Sequence, residues 1–157
     1  MRFKSKNMTP PFITLRRIPY EEPYHLCLVI SASNGEYSGS LEYYCNAKDV
    51  AEVGNRLAAF PEMVGDDYTY ELGSPRPEDR FAHHLILRVF TVDSAGHSAL
   101  QIVMNNNRKP PDDCSCSFTI PAEVSAINRL GRLFKTFGEL KHEMLRWSTT
   151  KGGLSDC

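Results

Sequence analysis

The sequence predicts an α+β fold: a curved antiparallel sheet of about six or seven strands with two helices, the longer one C-terminal. Three observations carry that reading. Short runs of alternating apolar and polar residues recur between turn formers from Phe12 to Cys45 and again from Tyr68 to Ile120. Helical spacing interrupts them between Asn46 and Pro61, and a longer helical pattern follows Pro121. At 157 residues the chain fits a single domain, with a core over about residues 12–147 and flexible ends at 1–10 and 148–157.

Each element has a local reason. "FITLRRI" (Phe12 to Ile18) reads as a short strand closed by Pro19. "YHLCLVISASNGEYSGSLEYYCN" reads as a hairpin about Asn34-Gly35, the pair favoured by a two-residue turn. In that register Ser33 opposes Glu36, Leu26 faces Tyr43, Leu28 faces Leu41, Ile30 faces Gly39 and Ala32 faces Tyr37. One face is then apolar and the other largely polar. Cys27 and Cys45 fall on opposite faces and cannot bridge.

Val50, Val53, Gly54, Leu57 and Phe60 predict a helix of about three turns, with Asn46 or Asp49 as cap and Pro61 as stop. A short strand follows near Tyr68 to Leu72, then a loop, "GSPRPEDR". "FAHHLILRVFTV" and "HSALQIVMN" form a second hairpin in which Val89 opposes Leu100, Leu87 opposes Ile102 and Leu85 opposes Met104. "CSCSFTI" is the last predicted strand. Pro121 opens the last predicted helix, which carries Val124, Ile127, Leu130, Phe134 and Phe137 and runs on to Trp147. The residue pattern contains no visible internal repeat.

Hydrophobic content of 41%, charged content of 24% and a net charge of -1 exclude a disordered or membrane-spanning chain. The basic start, "MRFKSKNMTPPF", leads into no apolar run of signal-peptide length, and the five cysteines have no regular spacing. A cytoplasmic protein with reduced thiols is expected.

Candidate chemistry is sparse. His97 sits about 26–30 Å along the strand from His83 and His84, so the three cannot share a metal ion. His83 and His84 point to opposite faces, and His97 is expected to pair with Asp93. Cys114 and Cys116 share a face but lack a second ligand pair, and are expected to be small buried side chains. The paired acids Glu21-Glu22, Asp66-Asp67, Glu78-Asp79 and Asp112-Asp113 lie in loops, without the apolar pocket that acid/base work needs. No nucleophile elbow, phosphate loop or HExxH motif occurs. No cofactor, metal site or enzymatic activity is expected.

Arg129, Arg132, Lys135, Lys141 and Arg146 alternate with Glu139 and Glu143 in the predicted last helix. They read as its solvated face, so no nucleic-acid partner is expected. Charge is uneven along the chain. Residues 36–79 carry ten Asp/Glu against three Lys/Arg. That imbalance predicts an acidic contact surface for a basic protein partner, formed by Asp49, Glu52, Glu62, Asp66, Asp67, Glu78 and Asp79 with Tyr68 and Tyr70 as anchors. A ligand-binding or small hydrolase site on the open sheet face near Tyr44, Glu42 and His25 is the alternative.

The order "LEYY", "LAAFP", "YTYEL", "DSAGH" and "SFTIPAEVSAINRLGRLF" resembles the WapI-type immunity proteins of bacterial polymorphic toxin systems and related small domains of unknown function. The resemblance spans about Phe12 to Leu140. It implies a non-enzymatic inhibitor that occludes a toxin domain, with no catalytic residue and a structural turn from Asp93 to His97. The loops "SPRPEDR" and "NNRKPPDD" depart from the family pattern.

Overall fold

A computed structural model describes residues 9–156. The chain runs β1 (Phe12–Ile18), β2 (Leu26–Ser33), β3 (Ser38–Cys45), α1 (Ala47–Ala58), β4 (Asp67–Gly73), β5 (His84–Thr91), β6 (Ser98–Asn105), β7 (Ser115–Ala122), α2 (Val124–Phe137), β8 (Met144–Ser148) and β9 (Gly152–Ser155). The α+β class, the two helices and the longer C-terminal helix are as expected. In place of one curved sheet there are two antiparallel sheets, in the orders β3-β2-β1-β8-β9 and β4-β5-β6-β7. The first is called sheet A and the second sheet B.

Residues that alternate inward on both sheets meet the apolar stripes of α1 and α2 in one core that includes Leu15, Leu41, Ile102, Phe134 and Trp147. Each such large side chain contributes roughly 1.5–3 kcal/mol on burial. Asn46 caps α1 by accepting the Asp49 N–H at 3.0 Å.

The β5–β6 hairpin has the expected register, with Val89 opposite Leu100 and Leu85 opposite Met104. The β2–β3 hairpin is displaced by two residues, so Leu28 faces Tyr43, Ile30 faces Leu41 and Ser33 faces Ser38. The cause is the Asn34 side chain, which accepts the N–H groups of both Glu36 and Tyr37 and opens a wider turn than a two-residue one. Because the shift is even, the paired side chains keep their expected faces, while Tyr37, expected opposite Ala32, falls in the wider turn and is exposed.

The last predicted helix is the larger correction. Helix α2 ends at Phe137, and residues 144–148 and 152–155, expected as helix and loose tail, form β8 and β9 on the flank of β1. Ile13 faces Trp147, whose indole N–H donates to the Ala126 carbonyl at 2.9 Å. Pro121 belongs to β7, an edge strand where its missing N–H breaks no ladder, and Glu123 occupies the cap of α2. The expectations about residues 1–8 and Cys157 lie outside the described residues.

The structure also contains the repeat that the residue pattern hides. β1-β2-β3-α1-β4 and β5-β6-β7-α2-β8 are the same unit twice. Leu15 pairs with Ile30, which pairs with Leu41, just as Leu87 pairs with Ile102, which pairs with Phe118. The burial patterns of β3 and β7 are identical. Each unit gives its last strand to the other's sheet, β4 to β5 and β8 to β1. Equivalent glycines, Gly54 and Gly131, meet where α1 and α2 pack, and a Cβ on Gly131 would lie 2.1 Å from the Ala58 nitrogen.

Candidate functional site

The acidic residues of the middle segment are taken up internally. Asp66 is buried and accepts the backbone N–H groups of Glu62 and Asp67 at 2.9 and 3.0 Å, and the Arg56 guanidinium binds both Asp66 and Glu62. These bonds hold the Asp66 carboxyl below its ordinary range, with the Glu62 N–H the largest cause. Asp67 pairs with Arg88 at 2.6 Å, Asp79 with Arg76 at 3.0 Å, and Glu78 with Arg76 at 4.0 Å.

The remaining members of the set are similarly engaged. Glu52 pairs with Lys48 at 3.9 Å, and Asp49 accepts the Tyr70 hydroxyl at 3.4 Å. Tyr68 is half-buried beneath Arg56, 4.8 Å from its ring centre. Asp66 and Asp67 lie at one end of β4 while Glu78 and Asp79 lie beyond the other, about 20 Å away at the usual strand rise. The expected acidic surface is therefore divided and largely neutralised.

Asp93 and His97 pair as expected, Oδ2 to Nδ1 at 2.7 Å, at the tip of the β5–β6 hairpin. His84 meets Glu71 at 2.7 Å. His83, on the other side, accepts the Tyr44 backbone N–H at 3.2 Å, bridging the end of β5 to the open edge of β3. Cys116 is half-buried but Cys114 is exposed, which corrects the expectation that both are buried. No metal-binding cluster of His, Cys, Asp or Glu occurs among the described residues. Around the alternative site, Glu42 is engaged by the Cys27 thiol and the Tyr44 hydroxyl, and His25 is exposed beyond the start of β2.

The outer face of sheet A is different in character. Its strand pairings place Arg146, Thr14, Ser31 and Ser40 in one row across β8, β1, β2 and β3. In the next row Arg16 stands beside Met144 and Val29. The row spans about 14 Å, three inter-strand spacings. Arg16 and Arg146 are exposed, and neither forms an ion pair with a carboxylate among the described residues. Arg146 donates to the Ser155 hydroxyl at 2.8 Å, and Ser31 and Ser40 share a 2.7 Å bond. Rings border the face: the exposed Tyr20 and Tyr44 lie 5.4 Å apart between centres, and the half-buried Phe12 stands at the opposite end of β1.

The equivalent positions on sheet B read differently. Arg146, Thr14 and Ser31 correspond to Glu71, Ile86 and Val103, and Arg16 corresponds to Arg88, which Asp67 neutralises. Among the described residues, sheet A keeps arginines outside any ion pair with hydroxyls between them, and sheet B does not. Sequence reasoning misses this site because the spacing around Arg146 reads as helix, whereas Arg146 lies on β8 and reaches Arg16 only through the β1–β8 pairing. The alternation in "FITLRRI" does put Thr14 and Arg16 on one side, but the partner strand that completes the row is remote in sequence.

No family model matches the chain, and no curated protein matches it. Among solved structures it is similar to WHY1 from Arabidopsis thaliana, with a TM-score of 0.46, 9% identity, and coverage of 83% of this chain and 84% of that one. It is likewise similar to the plant transcriptional regulator PBF-2, with a TM-score of 0.46, 8% identity, and coverage of 84% and 78%. The expectation of a toxin inhibitor acting through an acidic surface is corrected: the acids meant to hold a basic toxin are occupied by the chain's own cations. The exclusion of nucleic acid is corrected too: it rested on reading Arg129, Arg132, Lys135, Lys141 and Arg146 as the solvated face of one helix, but α2 ends at Phe137 and Arg146 lies on β8.

Proposed function

We propose that this chain is a non-enzymatic binding module for single-stranded nucleic acid, which it takes across the outer face of sheet A. The observation that carries this reading is the row Arg146–Thr14–Ser31–Ser40 with Arg16 beside it, bordered by exposed tyrosines. Phosphates are met by uncompensated guanidinium groups and hydroxyls, while bases stack on rings such as Tyr44 and Tyr20. An open antiparallel face suits a flexible strand whose bases splay; the rigid grooves of a duplex would need a protruding helix or ribbon.

The module acts as one unit, without metal or cofactor, in the cytoplasm. The four described cysteines, Cys27, Cys45, Cys114 and Cys116, are free thiols and suit a reducing compartment. No helix among the described residues is long and apolar enough to cross a membrane.

The test is fluorescence anisotropy with labelled oligothymidylate and an equal length of duplex, titrated over a range of salt. Binding of the single strand, weakened by salt and by the pair R16A/R146A, is expected. Equal affinity of that double variant and the parent chain would refute the assignment.

A further inference from the structure

The row on sheet A points over the β3 edge toward a second basic feature. Ser40, the last residue of the row, lines a hollow of about 470 Å³ between β3 and β7 that also takes in Asn105, Cys114 and Ser115. These last three line a second hollow of about 500 Å³, between the loop after β4 and the loop after β6. Arg76, Arg80, Arg108 and Lys109 surround it, with Asp113 as the one carboxylate among its lining residues. Arg76 is held by Asp79 and Glu78, which leaves Arg80, Arg108 and Lys109 as exposed cations outside any ion pair among the described residues.

The second hollow is held open by the protein itself. The Asn107 side-chain amide donates to the Ser74 carbonyl at 2.8 Å and to the Phe81 carbonyl at 3.1 Å, tying the two loops together. Asn107 and Arg80 both have left-handed backbone, with φ of 52° and 58°, a conformation uncommon outside glycine. Asn106 accepts the N–H groups of Arg108 and Cys114, fixing the base of the loop that carries Arg108 and Lys109. Beside these cations the Phe81 ring is 53% exposed. An exposed ring next to uncompensated cations matches the two halves of a nucleotide.

We infer that a bound single strand leaves sheet A over the β3 edge and continues into this cleft, where Arg80, Arg108 and Lys109 hold its phosphates and Phe81 stacks a base. The inference rests on the nucleic-acid reading of sheet A and extends its footprint. It makes the chain's affinity depend on strand length: a short oligonucleotide fills sheet A alone, and a longer one reaches both.

The experiment measures binding of labelled oligothymidylates of about 6 and about 18 nucleotides, lengths chosen to bracket the usual site size of such domains. It uses the parent chain and the triple variant R80N/R108A/K109A, with asparagine at 80 because it tolerates left-handed backbone. Circular dichroism and thermal unfolding establish that the variant is folded. The variant is expected to lose about tenfold or more on the longer strand, with a salt slope smaller by about 2, and to bind the shorter strand unchanged. Equal binding of the longer strand by both proteins would overturn the extension and leave the sheet A site standing. An equal loss on both lengths would also overturn it, by making the cleft the primary site. Failure of the parent chain to bind either strand would remove the sheet A reading and the extension together.

Discussion

Arg16 and Arg88 occupy the same place in the two halves of the molecule, and Arg88 alone has a carboxylate, Asp67, at 2.6 Å. The residue at the position on the sheet A side that matches Asp67 is His142. One half therefore spends its arginine on the fold and the other leaves it to solvent. R16A is expected to weaken oligonucleotide binding and lower the salt slope by about 0.7, one phosphate contact. R88A is expected to leave affinity intact. It should cost no more than about 1 kcal/mol of stability, since the pair is well exposed. Anisotropy titrations at several salt concentrations separate the two, and equal loss in both variants would contradict the asymmetry.

The packing of α1 on α2 depends on backbone approaching backbone. A Cβ at Gly131 would lie 2.1 Å from the Ala58 nitrogen and 2.6 Å from the Leu57 carbonyl carbon, neither of which can swing aside. G131A is expected to destabilise the protein by several kcal/mol, at or beyond about 3, because the helices must separate. Gly138, just past the end of α2, is the control: its added Cβ meets nothing closer than 3.4 Å, and G138A should be neutral or stabilising by a few tenths of a kcal/mol. Urea unfolding followed by the fluorescence of Trp147 reads both.

Asp66 distinguishes an internal brace from a contact surface. Its carboxylate accepts two backbone N–H groups and the Arg56 guanidinium, and its side chain is only 6% exposed. D66N keeps the shape but removes the charge, and is expected to destabilise by about 1–3 kcal/mol. The loss should be largest above pH 4, where the parent carboxylate is ionised in folded and unfolded chains alike, and should shrink as pH falls through its lowered folded value. A stability unchanged from the parent would mean that the loop does not rely on this carboxylate.

Element type was legible wherever the pattern was local. "FITLRRI" marks β1 to the residue, apolar spacing marks α1 with Asn46 as one of two candidate caps, and apolar matching around a short turn sets the β5–β6 register. What failed was decided by partners far away in sequence. β8 and β9 exist because β1 offers an open edge, and "HEMLRW" continues the apolar spacing of α2 closely enough to read as helix. The duplication stayed hidden because its offset changes from 72 residues, Leu15 to Leu87, to 77 residues, Gly54 to Gly131, with few identities between. Both halves of the candidate site, Arg16 and Arg146, meet only through that unread pairing. Charge counting pointed to the acids, but composition does not show which carboxylates already have a cation.

His83 couples the two sheets and makes their contact sensitive to acid. Its Nε2 accepts the Tyr44 N–H on the open edge of β3, and its ring stacks on Tyr44 with centres 6.3 Å apart, so the bond requires an unprotonated nitrogen. Burial pushes its pKa below the ordinary 6.5. The unfolded chain therefore takes up the proton first as pH falls. The stabilisation from neutral His83 is complete above about 6.5 and is lost as pH drops from there toward the lowered folded value. His97 works in the opposite direction: the Asp93 hydrogen bond raises its pKa, so its contribution is complete below 6.5 and fades as pH rises through the raised value. Urea unfolding of the parent chain and of H83Q at pH 5 and pH 7.5 is expected to show a stability gap that narrows at the lower pH. Repeating it in an H97Q background, which removes the opposing contribution, should leave that narrowing in place. A gap of the same size at both pH values would show that His83 does not act through its neutral form.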